Sequence, residues 1–75
     1  MSFLNSRQHP AVVSQAGKVF VFIAQALEAE TLVGQTATRV AQATKGLLQA
    51  TSVDPSPLLQ QFSPQAQQTI MGFFN

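Results

Sequence analysis

The chain has no cysteine, no tryptophan and no tyrosine, one histidine, and only four Lys or Arg and three Asp or Glu among 75 residues. Without cysteine no disulfide can staple the fold, and a single histidine puts the usual zinc ligand sets out of reach. Charged residues make up 9% of the chain, against about 25% in an ordinary soluble domain, so polarity rests on Gln, Ser and Thr. The basic residues Arg7, Lys18, Arg39 and Lys45 are scattered. They form no clustered basic face of the kind that phosphate binding requires, and nucleic acid is not expected as a partner.

Long apolar runs are also missing. The longest, "VFVFIAQALEA", already contains Gln25 and is shorter than the ~20 residues that span a bilayer. An amphipathic surface helix would mass Lys and Arg on its polar face. Here the polar faces are neutral, so no membrane partner is expected. The opening "MSFLNSRQHP" lacks an apolar core behind a basic start, which points to an intracellular, reducing location.

What remains is rich in apolar residues, at 45% of the chain. A domain of this size buries only ~60% of the surface its unfolded chain exposes. With disulfides and metals excluded, the stabilising aid left is another protein surface. From about Ala16 to Ala29, Phe20, Ile23, Ala24 and Leu27 fall at the spacing of one helical face. Val19, Phe22 and Ala26 widen that face, and a helix so broadly apolar is expected to be buried on more than one side. "KVFVFIA" alone also fits a strand; the Ala, Gln, Leu and Glu that follow favour the helix.

A second helix is predicted from about Gln35 to Ala50, after Gly34 and before Ser52 to Pro55. Ala37, Val40, Ala41, Thr44, Leu47, Leu48 and Thr51 share one face. Ala43, Gly46 and Ala50 are small enough to admit another helix, and Gly46 in mid-helix points either to a close contact there or to a glycine that is simply tolerated.

The carboxyl stretch "LLQQFSPQAQQTIMGFFN" contains no charged residue. Asp54-Pro55 and Ser63-Pro64 each read as an N-cap followed by proline at the first helical position. They predict a short helix over 56–61 and a last one from Pro64 to about Phe73, where Ala66, Ile70 and Phe73 with Phe74 form one apolar stripe. The expected core and cap residues are thus Phe20, Ile23, Leu27, Val40, Leu47, Leu48, Phe62, Ile70 and Phe73. For Phe73-Phe74 the first reading is a core cap and the second an exposed partner-binding patch, with Phe74 the candidate partner contact, because exposed contiguous apolar area usually marks an interface.

No catalytic constellation emerges. His9 precedes Pro10 and fits a turn; a catalytic histidine needs a positioned nucleophile and an orienting partner. Glu28 and Glu30 stand two apart and so do not share a helix face. Asp54 has no second carboxylate nearby to complete an oxygen-rich metal site, and "GQTATRV" holds neither a phosphate-loop nor a dinucleotide glycine pattern. The chain is expected to be no enzyme and to use no cofactor.

The expected fold class is all-α: antiparallel helix hairpins of HEAT-repeat, α-solenoid type with a short C-terminal capping helix. Residues 1–15 would be a helical or extended lead-in, 16–52 a helix pair, and 53–75 short capping helices. An independent, self-associating miniature bundle competes with a solenoid end piece. The broad apolar surface of the first helix favours the solenoid, since one partner helix cannot cover it, and 17–51 nearly fills a HEAT-type unit of ~40–47 residues.

The segments "HPAVVSQAGKVFVFIAQALEAE", "TATRVAQATKGLLQA" and "LLQQFSPQAQQTI", in that order, resemble the carboxyl terminus of importin-beta superfamily nuclear transport receptors, most closely the importin-5 type. The likeness rests on a His-Pro-x-Val start at His9 to Val12, the helix at Lys18 to Glu28, an Arg at Arg39 before Leu47-Leu48-Gln49, and the Ser-Pro-x-x-Gln-Gln helix within Phe62 to Gln68. It implies a protein-binding scaffold that carries cargo through the nuclear pore and works in cytoplasm and nucleus. Its implied partners, for the complete receptor, are cargo import signals, the Ran GTPase and Phe-Gly nucleoporins. At Gln65 the chain departs from the family pattern, where members usually carry an acidic residue.

Overall fold

The computed structural model describes residues 10–74, in which four α-helices run in the order α1 (Pro10–Glu28), α2 (Gly34–Thr51), α3 (Ser56–Leu59) and α4 (Pro64–Phe74). No strand occurs among the described residues. The expected all-α helix-hairpin architecture is borne out: α1 packs on α2, α4 packs on both, and short α3 lies against α1.

The first helix begins at Pro10 rather than near Ala16, and it is 19 residues long. Proline is compatible with this start because a helix's first N–H groups have no intrahelical partner to lose. At 1.5 Å per residue α1 is about 28 Å long. By length and composition alone it could cross a membrane, which the shorter run read from the sequence did not anticipate. The core helix of a soluble protein and a signal sequence pass the same test. Here Ala16, Phe20, Ala24 and Leu27 are buried within the protein itself, and 22% of the apolar stretch is enclosed.

Both long helices end in a left-handed residue. Glu30 has φ 61° and Ser52 has φ 58°. After α1, the Glu30 N–H donates to the Leu27 carbonyl and the Thr31 N–H to the Ala26 carbonyl. After α2, the Ser52 N–H donates to Gln49 and the Val53 N–H to Leu48. These paired bonds are the Schellman closure, which satisfies carbonyls that a helix end leaves open. Val53 then folds onto the core beside Leu48. Glycine performs one related task at Gly34, where φ is +65°, a conformation that costs a residue bearing a Cβ about 1–2 kcal/mol.

The core is one cluster joining Phe20, Ala24 and Leu27 of α1, Ala37, Ala41 and Leu48 of α2, Leu59, and Ala66, Ile70 and Phe74 of α4. Phe20 and Ile70 are its largest fully enclosed side chains. Small residues at Ala37 and Ala41 draw α2 close to α1. Thr44 and Thr51 are buried too, and their hydroxyls donate to the carbonyls of Val40 and Leu47, both at 2.8 Å. Bonding back to the preceding turn lets a polar side chain enter an apolar face without an orphaned donor.

The close contact expected at Gly46 is not found. No atom lies within 4 Å of where its Cβ would stand, and Ala43, Gly46 and Ala50 are all exposed. They share the side of α2 turned away from α1 and α4. The buried face is instead the row carrying Ala37, Ala41, Thr44 and Leu48.

Candidate functional site

Two surfaces could meet a partner: the closing helix α4 and an apolar groove beside α1. The closing helix starts from a side-chain cap, in which the Ala66 N–H donates to Ser63 Oγ at 3.2 Å, satisfying one of the first orphan donors. Gln67 Nε2 donates to the Phe62 carbonyl at 2.9 Å and ties the helix back to the turn before it. Asp54 acts one turn earlier, its Oδ1 accepting from the Ser56 N–H at 3.0 Å. The Ser-Pro and Asp-Pro pairs thus set two successive corners, and α4 is delivered across α1 and α2.

The two terminal phenylalanines, read first as a core cap and second as a partner patch, are set at different depths. Phe74, the expected partner contact, is buried at 7% exposure and meets the ring of Phe20 edge to face, with centroids 5.2 Å apart and planes at 67°. Phe73, expected in the core, is half-buried at the margin of the cluster. Successive residues on a helix are about 100° apart, so only one of an adjacent pair can point into the core. Ala66, Ile70 and Phe74 hold the inward row. Phe74 is therefore not available to a partner while α4 is docked.

The other predicted positions divide in the same way. Phe20, Leu27, Leu48 and Ile70 are buried, while Ile23 and Phe62 pack on the cluster from its edge. Val40 and Leu47 are half-buried and lie outside that cluster. Glu28, Glu30 and Asp54 are exposed, and no metal-holding group of His, Cys, Asp or Glu exists among the described residues. His9 lies outside the described residues.

The second surface was missed as a unit. A groove of about 560 Å³ runs beside α1, floored by Val13, Gly17 and Val21 and walled across from them by Val53, Pro57 and Leu58. Phe22 stands at its margin, 69% exposed. Lys18 and Asp54 also border it. The sequence signal was present in the breadth of apolar residues around α1. The far wall was not legible, because it comes from the 53–58 segment, whose position depends on the turn after α2. A groove of this size lined mainly by apolar side chains, with one exposed aromatic and few polar groups, is suited to binding another protein surface.

A family model described as an importin repeat matches residues 2–41, more than half of the chain. The match takes in all of α1 and reaches Ala41 in α2, so it covers the helix that floors the groove. No curated protein and no solved structure matches the chain.

Proposed function

The chain belongs to the importin repeat family, a HEAT-repeat segment of importin-beta type, and from that premise we propose that it works as the C-terminal part of a nuclear import receptor of the importin-5 kind. Its role is that of a protein-binding scaffold. The observation that carries this reading is the agreement between the family match over 2–41 and a helix pair, α1 and α2, whose first member keeps an apolar flank free after its own core is filled. A repeat within a solenoid needs such a flank, because each unit is completed by its neighbours.

The division of the chain follows. The helix pair, expected over 16–52, reaches back to Pro10 in α1, and the segment after Ser52 closes it. Gln65, Gln68 and Thr69 lie on the exposed side of α4, giving the closing helix the polar outer face that a terminal repeat requires. Phe20, Leu27, Leu48, Ile70 and Phe74 hold that cap in place. In the complete receptor the partners would be cargo import signals, the Ran GTPase and Phe-Gly nucleoporins, and the receptor would move between cytoplasm and nucleus. Catalysis and cofactors play no part in this reading.

An antibody raised against "TSVDPSPLLQQFSPQ" tests the proposal by immunoblot of source-cell extract. A receptor predicts a band many times larger than the 8.0 kDa of this chain, present in cytoplasmic and nuclear fractions. A band at 8.0 kDa would sink it.

A further inference from the structure

Two serines stand directly before prolines at exposed corners of the chain, Ser56-Pro57 at the start of α3 and Ser63-Pro64 at the start of α4. We propose that Ser63 is a phosphorylation site for a proline-directed serine kinase, and that its phosphate fastens α4. Such a kinase needs a serine hydroxyl within reach and a proline after it, because proline brings no N–H to leave unpaired and biases the serine toward an extended backbone. Ser63 and Pro64 are both exposed, and Ser63 lies outside the helices, after the turn at 60–61. Its Oγ accepts from the Ala66 N–H at 3.2 Å. That bond belongs to a helix end, where opening costs least, so the hydroxyl can turn out to the enzyme. ATP is the co-substrate: the Ser63 Oγ–P bond forms while the bond from the γ-phosphorus to the β,γ-bridging oxygen breaks. ADP leaves with that electron pair, and the hydroxyl proton passes to the kinase's carboxylate base.

The surroundings separate the two serines. The Ser56 N–H is held by Asp54 Oδ1 at 3.0 Å, so a phosphate on Ser56 would stand beside a carboxylate, and α3 is only four residues long. No charged residue lies within 55–75, and the first turn of α4 carries no acidic group. A phosphate on Ser63 brings a charge of about −1.5 to −2 to the start of this 11-residue helix. The open N–H groups and the helix dipole attract it there. The exposed dipeptide is the site, and the helix behind it decides what the modification does. Because α4 carries Ile70 and Phe74 into the core, fastening its start stabilises the closure over α1 and α2. This inference concerns the corner before α4 and does not rest on the transport reading.

Incubation of the 75-residue chain with a purified proline-directed kinase of the mitogen-activated class and MgATP tests it. Trypsin then releases a peptide beginning at Gly46 that holds both serines, and fragmentation in the mass spectrometer locates the phosphate. Ser63 is expected to take it in preference to Ser56. Pro64→Ala should slow transfer at least about tenfold with helicity retained, since alanine also suits the first helical position. The phosphorylated chain should melt roughly 4–8 °C above the unmodified one at low salt, a gain that shrinks at about 1 M salt. Ser63→Ala, treated in the same way, should show no gain. Phosphate on Ser56 with none on Ser63, transfer that is indifferent to Pro64→Ala, or a phosphorylated chain whose Tm is unchanged or lower would each overturn the proposal. The immunoblot has no bearing on these results, so the two readings fail separately.

Discussion

Replacing Phe74 by alanine should destabilise the chain far more than replacing Phe73. Phe74 is 7% exposed and closes on Phe20, itself wholly enclosed. Truncating a buried phenylalanine costs about 3–5 kcal/mol, of which the edge-to-face ring pair supplies about 0.5–1.5 kcal/mol. Phe74 is the last residue of α4, where the helix end can relax into the space, so the lower bound of about 3 kcal/mol applies. Phe73, half-buried at the cluster margin, should cost about 1 kcal/mol. A chain of 75 residues has a total stability of about 4–11 kcal/mol. Phe74→Ala therefore sits near the edge of folding while Phe73→Ala stays folded. With a urea dependence of about 1 kcal/mol per molar for so small a chain, the midpoint of helix loss at 222 nm should fall by about 3 M for Phe74→Ala and about 1 M for Phe73→Ala. The reverse order would refute the docking of α4 described above, and would return Phe74 to the role of an exposed contact.

Other substitutions probe the backbone. Gly46→Ala should stabilise by about 1 kcal/mol, raising Tm by roughly 4–8 °C, because the site is exposed mid-helix with no neighbour to clash; a loss of stability would mean that another helix lies against it. Gly34→Ala should cost about 1–2 kcal/mol at φ +65°, and a neutral result in thermal melts would refute that backbone conformation. Ser52→Gly should act in the opposite direction, gaining up to about 1 kcal/mol by relieving the left-handed serine after α2; chemical denaturation that shows a loss would contradict the Schellman closure. Ser63→Ala removes the acceptor for the Ala66 N–H and should cost about 1 kcal/mol by urea titration, whereas an unchanged midpoint would make the cap irrelevant.

Much of this architecture was readable before any coordinates. The row Phe20, Ala24, Leu27 announces a helix by spacing, and the Asp54-Pro55 and Ser63-Pro64 pairs announce two helix starts, because caps and prolines act within a single turn. The beginning of α1 was harder, since proline can either stop a helix or open one. Choosing between Phe73 and Phe74 required the rotational setting of α4, which the Ser63 turn and the position of Phe20 fix together. The small residues of α2 misled for a related reason. Two rows of small side chains exist, Ala37 with Ala41 and Ala43 with Gly46 and Ala50, and composition does not say which row faces α1. The burial of Thr44 and Thr51 decides it, because their hydroxyls are satisfied within the helix and leave that face dry.

The groove belongs to a different order of information, because it is made by elements distant in sequence. The α1 row contributes its floor, but the wall exists only because Ser52 reverses the chain after α2 and Val53 anchors on Leu48. The resulting chain is unequal on its two flanks. Where α4 covers the helix pair, aromatic and branched side chains are enclosed and the outer side carries Gln65, Gln68 and Thr69. Along the groove, Val13, Val21 and Leu58 remain partly open and Phe22 stands exposed. A scattered exposed aromatic carries no message, but one set at the rim of a three-turn apolar groove belongs to a contiguous apolar face. A polar flank on α4 opposed to an open apolar one along α1 leaves the two sides of the helix pair unequal, because the turn at Ser52 swings the 53–58 segment against α1 while α4 fills the opposite side.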